Sequence, residues 1–325
     1  MSIANQTLFL AGATGMTGTS LLETLRAHHP TTRIRAAVHQ TEPEVTYDDV
    51  EYVQGDLRDL EDCRRMVAGC DCAIMAAAYA GGAAYTTCSP FEHAGENLLM
   101  NRQMLEAFQL EGVKRIVFIG SAVIYQAFEG SIKEEELDFN KDPHTAYFCF
   151  GQAMRFLENM CRYLHEAFDH EVVMVRAANI FGPRDKFDAH RSNFIPAIIR
   201  KASERMDPFE LWGCPGVVRD VIFCDDFAKA ILMLADEGGL ACEAFNVGTG
   251  VETTVGQVAE WALKYADHEP GEIRWSQDEP TTIDYRALDC GKLKRAVGWE
   301  PDQSIEEGIR KTVQWWQTHQ EAWVH

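Results

Sequence analysis

Eight residues near the start, Ala11-Gly12-Ala13-Thr14-Gly15-Met16-Thr17-Gly18, constrain this chain more than any others. They follow the apolar run Thr7–Ala11, which predicts a strand, and open the pattern Met16–Ala27, which predicts a helix. Glycines on a strand-to-helix turn allow tight geometry and let a pyrophosphate approach N–H groups at the positive helix end. Small residues there would also suit plain packing, but the position between strand and helix favours a dinucleotide site. Gly12, Thr14, Gly15, Met16 and Gly18 are the candidate contacts.

The first half continues the same alternation. Strands are expected at Ile34–Val38, Val50–Gln54, Cys72–Ala76, Arg115–Gly120 and Val172–Arg176, with helices at Leu60–Ala68, Phe91–Glu111 and Ala146–Phe168. Parallel strands need such crossovers, so the fold class is α/β, a Rossmann-type doubly wound parallel sheet. After Arg176 the loop signals Phe181-Gly182-Pro183 and Trp212-Gly213-Cys214-Pro215-Gly216 change the texture. Residues 1–178 with about 219–245 are expected to form the dinucleotide-binding domain. About 179–218 and 246–325 are expected to form a smaller mixed α/β substrate lobe. Ile305–Trp316 is amphipathic, and its tryptophans read as packing residues.

A net charge of −20 argues against nucleic acid or an anionic membrane as partner, while local arginines still permit an anionic small molecule. The N-terminal residues lack a basic leader before a long apolar run, so a cytoplasmic chain with reduced cysteines is expected. Cys70 and Cys72 have no companion ligands at zinc spacing, and no metal site is expected.

Further candidate cofactor contacts follow the third and fourth strands. Asp56 in Gly55-Asp56-Leu57-Arg58-Asp59 is placed to accept from an adenine amino group, with Leu57 beside it, while Asp59 also suits a helix N-cap. Ala76, Ala77 and Ala78 leave room at the sheet edge, although close packing explains three alanines equally well. The second strand ends in His39-Gln40 with no carboxylate, which leans toward NADP over NAD.

Together with Gly120-Ser121-Ala122-Val123-Ile124-Tyr125, Phe181-Gly182-Pro183-Arg184-Asp185, Phe194-Ile195-Pro196-Ala197, Arg219-Asp220 and Phe245-Asn246-Val247-Gly248-Thr249-Gly250, these motifs resemble the extended short-chain dehydrogenase/reductases. Within them the chain is most similar to the nucleotide-sugar epimerase/dehydratase group, near the GDP-L-fucose synthases. The resemblance implies a nucleotide-diphosphate sugar as substrate, hydride transfer at sugar C4, and Ser121 and Tyr147 at the reacting oxygen. It implies Asn179 and Arg219 at the diphosphate, with Asn193 at the substrate. Arg200 and Lys201, on the helix expected after Pro196, are candidates to complete a basic pocket, although a solvated helix face explains them equally well. It also implies a homodimer built on the segments Glu96–Phe108 and Met154–Leu164.

The chain departs from that pattern at Gly151, where the resemblance implies a lysine four residues after Tyr147. An unassisted tyrosine with a pKa of about 10 is ionised in only about one molecule in a thousand at neutral pH. Lys133, Lys141 or the uncharged Gln152 are the nearby candidates to compensate. Val123 and Asn193 stand where fucose synthases carry a proton-shuttling cysteine and histidine, so double epimerisation is not expected. Two alternatives remain: a non-catalytic dinucleotide-binding sensor or scaffold, and a sugar 4,6-dehydratase, which the Ala122-Val123-Ile124 sequence after Ser121 disfavours.

Overall fold

Seven parallel strands make one sheet in the order Glu243–Val247, Glu171–Ala177, Arg115–Ser121, Cys72–Met75, Thr7–Ala11, Arg33–Val38 and Val50–Gln54. The computed structural model describes residues 2–276 and 283–320. From Thr7–Ala11 the chain builds outward through two strands, then returns to the other side of it with Cys72–Met75. This reversal opens a crevice at the carboxyl ends of those two strands, where open α/β sheets bind ligands.

Side chains alternate across the sheet and both faces are covered. Phe9, Phe118 and Met75 face the cluster that includes Phe108 and Leu157, from helices Pro90–Glu111 and Phe148–Phe168. Leu8, Leu10 and Ile74 face the opposite cluster with Leu21 and Ile231, from helices Met16–His28 and Cys224–Asp236. Asp59 caps helix Leu60–Val67 by accepting from the Asp62 N–H, and Gly112, at φ 73°, ends Pro90–Glu111 in the left-handed conformation.

The remaining elements gather beyond the strand ends. A four-stranded sheet runs Thr253–Thr254, Val218–Arg219, Tyr285–Leu288, Ser131–Ile132. Val221–Phe223 pairs with Asn179–Phe181, outside the seven-stranded sheet. Helices Phe194–Ser203, Val255–Tyr265 and Ile305–His319 enclose a third apolar cluster around Phe187, Phe209 and Trp316. Trp316 is buried and stacks on Phe187 at 4.2 Å, so the amphipathic segment near the end of the chain serves packing.

One expected boundary moves with consequence. Thr145–Tyr147 is a 3-10 turn, so the long helix begins at Phe148 instead of Ala146 and Tyr147 sits at its N-cap. Among the described residues, no helix is long and apolar enough to cross a membrane, and no group of three or more His, Cys, Asp or Glu is placed to hold a metal.

Candidate functional site

The glycine turn separates glycines the chain needs for itself from one it does not. Gly12 has φ 79°, and a Cβ there would lie 2.7 Å from the Ala77 backbone. A Cβ on Gly18 would lie 1.9 Å from the Gly12 carbonyl oxygen. Gly15 is exposed, and a Cβ on it would meet its nearest neighbour at an ordinary 3.6 Å. Nothing in the chain's own packing asks for that missing side chain, but a ligand lying on the turn would. Helix Met16–His28 starts there with no side-chain cap and no acidic residue in its first turn. Its N–H groups therefore face the crevice uncompensated, and the cradle fits a pyrophosphate. Thr14 and Met16 are half-buried at its rim, and Ala76 and Ala77 line the adjoining strand end, with Ala78 exposed beyond them.

At the other end of this crevice, Asp56 is not free. Arg58 forks onto both its oxygens at 2.7–3.2 Å and holds its carboxyl down at about 2. His39 Nε2 lies 3.7 Å from the same carboxylate, so the strand tip has an acid beside it in space although none follows it in sequence. Leu57 packs into the apolar cluster with Phe9 and Met66.

Ser121 ends strand Arg115–Ser121, and its hydroxyl oxygen accepts from the Val123 N–H at 3.4 Å. Tyr147 packs against the cluster that holds Ala122 and Val123. Gly151 lies one turn along the helix, and its side-chain direction is closed. A Cβ would meet Pro143 Cβ at 2.6 Å and the Val123 carbonyl oxygen at 2.7 Å. The lysine is thus absent together with the space its stem would occupy. Two of the expected substitutes are engaged elsewhere. Lys141 Nζ lies 3.8 Å from Asp138, and the Gln152 amide donates to Asp142 at 3.1 Å.

Positive charge reaches Tyr147 from another side. Val218–Arg219 and Tyr285–Leu288 pair in parallel with Arg219 opposite Arg286. The Arg286 guanidinium sits over the Tyr147 ring, 4.9 Å from its centroid. Burial pushes Arg286 down to about 10, Tyr147 opposing and Arg219 adding to the shift. Burial also lowers Arg219, against the pull of Tyr147 and Asp284. His144, whose Nδ1 accepts from the Ala146 N–H at 3.2 Å, is lowered by burial, Arg286 and Arg219, with Asp284 opposing. Sequence reading missed Arg286 and His144.

Asp220 anchors this corner. It accepts from the N–H groups of Thr249 at 2.9 Å and Gly250 at 3.1 Å, and burial lifts it to about 6. A Cβ on Gly248 would lie 2.6 Å from its carboxylate, which accounts for Gly248-Thr249-Gly250. The Asn179 amide donates to the Asp220 carbonyl at 3.2 Å. Arg200 reaches Glu204 at 2.8 Å, and its Nε has no partner among the described residues. Lys201 lies over the Trp212 ring and donates to the Glu210 carbonyl, so it braces its own lobe. Asn193 is exposed at the start of helix Phe194–Ser203.

Residues 8–248 match the sequence model of the NAD dependent epimerase/dehydratase family. A GDP-L-fucose synthase of Sinorhizobium fredii is 27% identical over 247 residues, 74% of this chain and 77% of that protein. A GDP-mannose 3,5-epimerase of Arabidopsis thaliana is 28% identical over 272 residues, 80% of this chain and 68% of that protein. Among solved structures, the UDP-glucose 4-epimerase of Thermotoga maritima, determined with UDP-glucose, superposes with a TM-score of 0.84 at 21% identity. That match covers 97% of this chain and 99% of the other and bears on the fold.

Proposed function

The chain belongs to the NAD dependent epimerase/dehydratase family, and from that premise we propose that it is a nucleotide-sugar oxidoreductase or epimerase working by hydride transfer at sugar C4. The observation that carries this reading is the half-buried Arg219 set opposite Arg286 on paired strands, with the Arg286 guanidinium over the Tyr147 ring. A diphosphate held by Arg219 and Asn179 leaves its sugar beside that phenol. An arginine fork suits phosphate oxygens.

Gly12, Thr14, Gly15, Met16 and Gly18 would hold the dinucleotide, with Ala76, Ala77 and Ala78 at the sheet edge and His39, Asp56 and Leu57 toward its adenosine end. Bound there, its nicotinamide supplies the group that takes up or returns the hydride. Tyr147 holds and moves the proton of the C4 oxygen. Ser121 orients the same oxygen, because its own oxygen is occupied by the Val123 N–H and its hydroxyl proton is left to donate. Asn193 and Arg200 face the rest of the nucleotide sugar. NADP is favoured over NAD, since the strand tip carries no carboxylate of its own and Asp56 is held by Arg58. The described residues of the smaller lobe, about 179–218 and from about 246 to 320, would close the substrate side.

The partner we propose is a second copy of the chain. Helices Pro90–Glu111 and Phe148–Phe168 pack side by side and leave Phe156 and Tyr163 more than half exposed. Exposed aromatics on Phe148–Phe168, beside the exposed Leu99 and Leu110 of Pro90–Glu111, suit a four-helix interface.

Titration with NADPH and NADH, followed by GDP-, UDP- and dTDP-sugars, tests the reading. Cofactor and sugar binding with isotope exchange at C4 supports it. The closed space at Gly151 favours one rival, a dinucleotide-binding protein without turnover. Cofactor binding with no sugar binding would favour that rival.

A further inference from the structure

No side chain caps helix Phe148–Phe168 at Tyr147, and Gly151 offers none one turn further on. The turn that presents Tyr147 is tied instead by His144, and it is tied twice. The His144 carbonyl accepts from the Tyr147 N–H at 2.8 Å. Its ring Nδ1 accepts from the Ala146 N–H at 3.2 Å, which caps the 3-10 turn Thr145–Tyr147. A backbone N–H can only donate, so Nδ1 must offer a lone pair and the ring's single proton sits on Nε2. A second proton has only Nδ1 to go to. It would set N–H against N–H and open the cap. An asparagine at such a position caps without that condition, because its side-chain oxygen stays an acceptor at every pH.

Resting on the reading of Tyr147 as the proton-handling group, we infer that His144 is a positioning residue: its neutral ring latches the turn that presents Tyr147, and a proton on Nδ1 releases it. The groups that face the ring favour the latched state. Arg286 and Arg219 face it from their paired strands, Asp284 stands just before the strand of Arg286, and Tyr147 follows on the turn itself. Before it in the chain, Lys141 and Asp142 are engaged by Asp138 and Gln152. Burial and the two arginines hold the imidazole below its usual range, with Asp284 opposing. A histidine lowered in the folded chain keeps its neutral form at neutral pH and gives it up only as the pH falls. The latch is therefore closed at neutral pH and opens on acidification.

A pH titration of the chain loaded with NADPH tests this, with isotope-labelled alanine and histidine read by NMR. Ala146→Gly identifies the Ala146 amide signal. In wild type that signal should move with the same midpoint as the His144 ring, and in His144→Asn it should stay flat. A ring that titrates while the amide stays still overturns the inference, and so does a ring that stays neutral until the chain unfolds. Isotope exchange at C4 with UDP-, GDP- and dTDP-glucose gives the second readout. Its rate in wild type should fall as the pH drops through the His144 midpoint. His144→Ala should slow exchange about tenfold at neutral pH, the usual size of a lost cap. His144→Asn should recover most of that loss while abolishing the acid fall, and NADPH affinity should hold in both. An Asn variant that keeps the acid fall, or an Ala variant that exchanges like wild type, overturns the inference. Exchange absent at every pH counts against the proposed function, and the amide titration of wild type then decides the latch by itself.

Discussion

A Cβ on Gly151 would lie 2.7 Å from the carbonyl oxygen of Val123, closer than unstrained packing allows. The opposing atom belongs to the backbone and Pro143 closes the other side, so neither gives way cheaply. Gly151→Ala should therefore lower stability by about 1–3 kcal/mol in urea melts, the usual cost of overpacking. Restoring the family's side chain with Gly151→Lys should bring no gain in hydride exchange, because its stem has no room to run toward Tyr147. A Gly151→Lys variant that melts like wild type and exchanges faster would show that the turn carrying Val123 yields.

Tyr147 and Ser121 are expected to separate chemistry from binding. Tyr147→Phe removes the proton-handling hydroxyl and should slow isotope exchange at C4 by about a hundredfold or more. Ser121→Ala should slow it less. NADPH affinity should stay within about threefold in both, because the glycine turn is untouched. A parallel loss of cofactor affinity would assign these side chains to binding.

Six of the seven strands were readable because each is a local apolar run, and Thr7–Ala11 and Val50–Gln54 keep the expected bounds. The seventh, Glu243–Val247, was not read as a strand although it pairs with Glu171–Ala177 at the sheet edge. Contacts made across the chain were not readable. Arg286 lies on a four-residue strand whose neighbour, Arg219, is far away in sequence, and the sheet joining them follows no sequential order. Pro143 gave no sign that it would fill the space beside Gly151. Arg200 was open to a different reading, since Glu204 follows four residues later on a helix and such pairs meet. Asp56 reads as a free acceptor only until Arg58 is seen folding back on it.

The Arg176–Glu158 pair separates buried from exposed electrostatics. Both side chains are enclosed, and Arg176 also donates to the Tyr125 hydroxyl and the Glu134 carbonyl. Glu158→Gln leaves a buried guanidinium without its counter-charge and should cost about 3–5 kcal/mol. Glu272→Gln, which breaks the exposed pair with Arg274, should leave the urea midpoint close to that of wild type. Similar losses in the two variants would mean that water reaches Arg176.

Self-association should depend on the paired long helices. Tyr163→Glu and Phe156→Glu each put a charge among exposed aromatics and should shift light scattering from dimer toward monomer at micromolar concentration. Cofactor affinity should hold. A monomeric wild type would remove the proposed partner.

Asp185 should make stability fall as pH rises. It is enclosed; one oxygen accepts from the Lys186 N–H at 2.7 Å, the other has no partner among the described residues, and burial lifts its carboxyl to about 7. In the unfolded chain an aspartate titrates near 3.9. Between about pH 4 and 7 the folded chain therefore keeps a proton that the unfolded chain releases, so stability declines across this window. Asp185→Asn removes that linkage. The variant should gain on wild type by roughly 1.4 kcal/mol for each pH unit inside the window, with the difference levelling off above it. Urea melts of both proteins across this range would show the slope, and a constant difference would mean that Asp185 is already ionised in the folded chain near pH 4.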